Sequence, residues 1–337
     1  MSKTAAAPLA ERFLIEHGLM ARGELATWTP LTGGVSSDLW RVDLPGRTIC
    51  VKGALERLKV ADDWRAPLSR NAVECAWLRF AARHVPGNVP RVLASDAHSA
   101  LFAMEYLQPA SYPVWKAQLM SGDVSAHTAA AVGDILGRLH AASTCDPDIP
   151  AGFATDGNFA ALRIRPYLLT TARRNPDSAS ALEALAKRTA STKLALVHGD
   201  VSPKNILVGP CGPVLLDAEC AWFGDPAFDV AFCINHLLLK TVRSPADGPA
   251  LTAAAASLIE RYAPHVSWEP WESLEQRAAT LLPALILARI DGSSPVEYLT
   301  DPAVQEVVRR HARALLADPA DRLPPLLTGW RDSFPAG

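Results

Sequence analysis

Residues 196–229 read LVHGDVSPKNILVGPCGPVLLDAECAWFGDPAFD, and this stretch decides the fold. A carboxylate, Asp200, stands five residues before an amide, Asn205, and a second carboxylate, Asp217, follows a predicted hairpin. The hairpin is expected as strands 206–208 and 214–216, joined across Gly209-Pro210-Cys211-Gly212, because glycine and proline punctuate two apolar, β-prone runs. Doubling the chain back there brings Asp217 beside Asp200 and Asn205. A carboxylate and an amide oxygen are hard donors that suit a divalent cation. Another carboxylate beside them can orient an attacking hydroxyl and take its proton, which is what phosphoryl transfer asks for.

Working outward, the first thirty residues read as one amphipathic helix with Phe13, Leu14 and Leu19 on a face, ending near Gly23. From residue 31 the texture is that of strands. Residues 39–44 alternate, Pro45-Gly46 marks a turn, and 48–52 return. Gly33-Gly34-Val35-Ser36-Ser37 lies between the first two candidate strands. Ser69 is the expected N-cap of a helix presenting Val73, Ala76, Trp77 and Phe80 at helical spacing. Lys52 sits in an apolar strand and Glu74 on that helix. An unpaired lysine there is costly, so pairing with Glu74 gives both a reason for their place. Short apolar runs at 91–95 and 101–107 complete a β-rich part, and beyond Pro109 the pattern is mainly helical. Two domains are expected, 1–107 and 108–337.

His198-Gly199-Asp200 through Asn205, followed by Asp217, resembles the catalytic loop and metal aspartate of the aminoglycoside phosphotransferase family, related to choline kinases and methylthioribose kinases. The resemblance implies an α+β, bilobal protein-kinase-like fold with a small β-rich N-terminal lobe and a larger helical C-terminal lobe. It implies a kinase moving the γ-phosphate of ATP to a hydroxyl of a small molecule, with Mg²⁺. Asp200 would be the catalytic base, and Asn205 and Asp217 the metal ligands. Gly33, Gly34, Ser36, Lys52, Glu74 and the backbone of Glu105 and Leu107 would bind nucleotide. Asp225 and Asp229 would brace the loop. Glu219, Trp222 and Arg289 are the substrate candidates, and His198 reads as scaffold. The span from Lys52 to residues 104–107 and Asp217-Ala218-Glu219 resemble methylthioribose kinases in spacing.

Bulk properties limit the alternatives. The 337 residues carry 33 basic and 35 acidic side chains, a net charge of -2, without the basic excess of a nucleic-acid binder. No apolar run reaches 18 residues, so no membrane span is expected, and the cytoplasm is the expected location. Six scattered cysteines without a C-x-x-C pair read as small buried hydrophobes. The acidic residues of the last hundred are interleaved with arginines, so no acidic wall for a polycationic antibiotic stands out. Two other readings stay open: a protein kinase, against which the absence of Asp-Phe-Gly counts, and a non-catalytic nucleotide binder, against which the intact carboxylates count.

Overall fold

The structure, a computed structural model, describes residues 6–31, 37–55 and 67–334. They fall into two compact units, the first ending at Ser111 and the second starting at Tyr112. The first unit runs α1 (Ala6–Glu16), β1 (Thr27–Pro30), β2 (Ser37–Leu44), β3 (Arg47–Ala54), α2 (Arg70–His84), β4 (Val92–Asp96) and β5 (Leu101–Glu105). Its strands form one antiparallel sheet in the order β1-β2-β3-β5-β4.

Helix α1 supplies Ala10, Phe13 and Leu14 to a core with Val42 and Leu44 of β2, Ile49 and Val51 of β3, and Leu101 and Ala103 of β5. Successive strand residues face opposite sides, so Lys52 lies on the sheet face away from Ile49 and Val51. Helix α1 stops well short of Gly23. Gly18 takes φ +67°, and the N–H groups of Leu19 and Gly18 cap the carbonyls of Leu14 and Ile15, a Schellman ending that the sequence reading overlooked. The first strand correspondingly begins at Thr27. On α2 the buried side carries Glu74, Trp77, Leu78 and Ala81, whereas Ala76 is exposed. Of the expected face, Trp77 and Phe80 are buried and Val73 is half-buried. Ser69 is itself helical, and its side chain caps nothing.

The second unit runs α3 (Trp115–Met120), α4 (Ala126–Thr144), α5 (Ile149–Gly152), α6 (Asp156–Phe159), a π-helix (Ala160–Leu169), α7 (Thr170–Arg174) and α8 (Ala179–Ser191). Four short strands follow: β6 (Ala195–Val197), β7 (Ile206–Gly209), β8 (Gly212–Leu215) and β9 (Trp222–Gly224). Then come α9 (Ala227–Arg243), α10 (Gly248–Tyr262), α11 (Trp271–Asp291), α12 (Pro302–Ala317) and α13 (Leu323–Ser333). Helix α9 is buried on all sides from Ala227 to Thr241, which makes it the central helix, with α10 and α11 packed against it. Strands and helices thus combine in an α+β architecture.

Among the described residues no helix is long and apolar enough to cross a membrane. Cys50, Cys75, Cys220 and Cys233 are buried, but Cys145 and Cys211 are exposed in a helix end and a turn, where the small-hydrophobe reading does not apply.

Candidate active site

Strands β6 and β9 pair antiparallel, Ala195 opposite Gly224 and Val197 opposite Trp222, and the chain between them carries Asp200, Asn205 and Asp217. The loop leaves β6 through His198 and Gly199, whose N–H groups donate to the Asp229 carboxylate at 2.7 and 2.8 Å. His140 Nε2 donates to the same carboxylate at 3.2 Å. Three donors converge on this one carboxylate, so Asp229 at the start of α9 pins the loop. Asp225 does not share that task. It accepts the Ala227 N–H at 3.0 Å and pairs with Arg277 Nε at 3.1 Å, ordering the entry to α9 instead.

His198 uses both ring nitrogens on backbone: Nε2 donates to Leu216 O at 3.1 Å, and Nδ1 accepts the Asp200 N–H at 3.2 Å. Burial pushes its pKa down against the pull of Asp229, so the ring is neutral and serves as scaffold. Gly199 stands at φ +79°, and a Cβ there would lie 2.8 Å from Cys220 O. Only glycine lets the loop pass so close.

Asp200 is buried, with Arg163 Nη2 at 2.9 Å and Lys204 Nζ at 3.2 Å from one carboxylate oxygen. Burial would raise its pKa, but Arg163 and Lys204 outweigh that and hold it below the usual carboxylate range. It is therefore an ionised acceptor. Asn205 follows in a single 3₁₀ turn, and its Nδ2 donates to Asp200 O at 3.1 Å. That bond fixes the amide so that its oxygen is the end left for a cation. Leu216 N–H donates to Asn205 O at 2.9 Å, tying the hairpin's return to the loop. The hairpin itself pairs Ile206 with Leu215 and Gly209 with Gly212. Asp217 comes next at φ +66°, a left-handed conformation uncommon outside glycine and tolerated by Asp. It is near enough to act electrostatically on Asp200 and His198. Asn205 and Asp217 offer oxygen donors of the kind a hard divalent cation takes, so the residues present fit such an ion.

In the first unit Lys52 Nζ donates to Glu74 Oε2 at 2.6 Å, both side chains being buried. Lys52 lies opposite Phe102 in β5 and Leu39 in β2, held centrally by the sheet. At the end of β5 the Glu105 N–H donates to Arg91 O at 2.9 Å, and Leu107 lies just past the strand.

The profile of the phosphotransferase enzyme family matches residues 27–265, which include all of these positions. The chain belongs to the phosphotransferase enzyme family. The methylthioribose kinase of Escherichia coli O45:K1 (strain S88 / ExPEC) is 26% identical over 232 residues, 59% of this chain and 54% of that protein. The chain spans little more than half the length of the curated relatives it matches. Among solved structures, the choline kinase of Cryptosporidium parvum Iowa II aligns with a TM-score of 0.57 at 12% identity, covering 95% of this chain and 99% of that one. An amicoumacin kinase in complex with AMP-PNP, Ca²⁺ and Ami aligns with a TM-score of 0.55 at 15% identity, covering 94% and 96%. At these identities the likeness is one of fold, and that fold is protein-kinase-like.

For this phosphotransferase family member the remaining expected positions divide. Gly33, Gly34 and Ser36 lie outside the described residues. Glu219 is buried beside the loop, and its carbonyl accepts from Asn158 Nδ2 at 2.7 Å. Trp222 is 1% exposed, its ring stacked on Phe159 at 4.0 Å, its Nε1 donating to Asp156. Packing against Phe159 and the bond to Asp156 account for where that side chain lies. Arg289 is not on a helix surface; it is buried against Tyr167 and Ser294.

The residue that sequence reasoning missed is Arg163, the closest partner of Asp200. Its Nε also donates to Gly199 O. The signal was present: an arginine inside the apolar run 162–164, followed by Pro166. That segment is the π-helix, a winding that places Arg163 and Tyr167 toward one another at 5.5 Å.

Proposed function

We propose that this chain is an ATP-dependent kinase that transfers the γ-phosphate to a hydroxyl of a small molecule. The observation that carries the reading is the buried Asp200, held ionised by Arg163 and Lys204 on a loop pinned by Asp229. Asp200 orients the acceptor hydroxyl and takes its proton as the phosphorus–oxygen bond forms. Asn205 and Asp217 would hold Mg²⁺, which when bound offsets charge on the phosphates. Lys52, fixed by Glu74, supplies a positive charge for the α- and β-phosphates. Gly33, Gly34 and Ser36 belong to the nucleotide loop of this reading, and Glu105 and Leu107 to adenine binding. Residues 1–107 are its nucleotide domain and 108–337 its catalytic and substrate domain.

The family supports phosphotransfer, and the names of the relatives, kinases of methylthioribose, choline and amicoumacin, support a small acceptor rather than a protein or nucleic acid. This reading puts the protein in the cytoplasm, where ATP is abundant. The test is coupled ADP release with Mg²⁺-ATP against sugars, amino alcohols, hydroxy acids and aminoglycosides, beside Asp200→Ala. An acceptor that raises turnover about tenfold or more, with the gain lost in the variant, is the expected result. If the chain binds no AMP-PNP, the reading falls.

A further inference from the structure

The second unit holds a group of cations that the transfer chemistry leaves unused. Helix α9 carries His236 and Lys240 one turn apart, α11 carries Arg289 near its end, and Tyr298 lies between α11 and α12. Lys240 is 2% exposed; its Nζ donates to His236 O at 3.1 Å and lies 5.2 Å from the Tyr298 ring centre. Among the described residues it pairs with no carboxylate. Burial, reinforced by Lys116, pulls its ammonium down to about 7.

Arg289 is 7% exposed and gives Nη1 to neutral acceptors only, the Tyr167 hydroxyl at 3.3 Å and the Ser294 hydroxyl at 2.9 Å and carbonyl. Its Nε and the Tyr298 hydroxyl are buried with no hydrogen-bond partner among the described residues. His236 is pushed well down by burial, then by Arg289 and Lys240, so it adds no charge. Glu297, whose charge acts on Lys240 from a distance, is itself paired with Lys116.

Bracing the turn after α11 explains the Nη1 bonds of Arg289 but neither its Nε nor Lys240. A buried donor left without an acceptor costs about 1–3 kcal/mol, and an unpaired buried charge costs more. What Lys240, Arg289 and Tyr298 lack in common is a negatively charged group rich in acceptor atoms. The patch also adjoins the reaction centre. Tyr167 sets its ring against Arg163, the partner of Asp200, and its hydroxyl on Arg289.

We propose that the acceptor carries an anionic group, a carboxylate or a phosphate monoester, which docks on Lys240, Arg289 and Tyr298 while its hydroxyl meets Asp200. The inference rests on the kinase reading above and narrows it, since a polycationic aminoglycoside is the opposite of what these side chains receive.

The test begins with AMP-PNP and Mg²⁺ titrated into the full chain; failure there defeats the kinase reading and not the anion dock. Inorganic phosphate and D-glycerate are then titrated separately, by calorimetry, into the AMP-PNP-loaded protein up to about 10 mM, enough to reveal millimolar sites. Saturable binding of at least one probe is expected, phosphate alone marking a phosphate monoester and glycerate alone a carboxylate. Lys240→Met and Arg289→Met should each weaken it about tenfold or more, the loss of one charged hydrogen bond. Tyr298→Phe, which removes one oxygen and leaves the packing, should weaken it about threefold and covers the case of a charge variant that does not fold. Neither probe binding, or variants binding as tightly as the parent, overturns the proposal.

Discussion

The Asp200 loop and the α9–α11 patch sit in the same unit and handle buried charge in opposite ways. At the loop two buried carboxylates are answered: Asp200 by Arg163 and Lys204, Asp229 by two backbone N–H groups and His140. Among the described residues the cations Lys240 and Arg289 meet only carbonyls, hydroxyls and aromatic rings. A completed network is stiff and preorganised, which suits a group that must meet developing charge at a fixed point. An incomplete one costs the free protein stability and leaves binding energy for a ligand. Removing a charge should therefore do opposite things in the two places.

The largest effect is expected at Arg163. Arg163→Met leaves Asp200 buried with only the half-exposed Lys204 and should cost about 3–5 kcal/mol in denaturant unfolding. The pH dependence follows from sign. The folded pKa of Asp200 lies below its unfolded value of 3.8, so the stabilisation is whole above pH 3.8 and is lost as pH falls through the folded value. Without Arg163 that pKa rises, and the acidic limb of kcat/KM should move to higher pH. A variant as stable as the parent, with an unmoved limb, would show that the loop does not depend on this pair.

How far the sequence carried differs between the same two regions. Asp200, Asn205, Asp217 and the hairpin were legible because their spacing in the chain is local, and local spacing survives folding. Lys52 and Glu74 were legible because an apolar strand makes an unpaired lysine untenable, and the two do pair. Arg163 was not, since its partner is 37 residues away and a π-helix, which no residue pattern announces, brings it there. The packing of Trp222 was not legible, because an aromatic residue reads alike in a pocket wall and in a core. Lys240 and Arg289 gain their character only when helices that lie far apart in sequence come together. The ends of α1 and β1 were misplaced because the Gly18 cap was overlooked in favour of Gly23.

A smaller effect sharpens the loop side of the contrast. Gly199→Ala adds a Cβ 2.8 Å from Cys220 O at φ +79°, and strain of this kind costs about 1–3 kcal/mol. The backbone would have to retreat from Cys220 or loosen its bonds to Asp229. Thermal unfolding should fall accordingly, and amide exchange at His198 and Gly199 should quicken more than elsewhere. Uniform exchange across the second unit would mean that the turn is not the point of strain.

The smallest effect is the one whose sign matters most. Lys240→Met replaces a buried ammonium with an apolar chain of similar length and forfeits one bond to His236 O. Its folded pKa is about 7 against 10.5 unfolded, so between those values the unfolded chain holds a proton that the folded chain lacks. Stability therefore rises with pH across that window, and below it the penalty is present in full. Removing the group should flatten that slope and stabilise the ligand-free protein at neutral pH by about 1 kcal/mol, the direction seen when buried charges give way to apolar packing. The groups facing it, Lys116, Arg289, Glu297, Cys233 and Tyr298, stay in place, so the change reports on Lys240 itself. Unfolding midpoints from pH 6 to about 10 decide it: a destabilised variant would mean that Lys240 already has the partner it needs, and the patch would then be structure rather than a binding site.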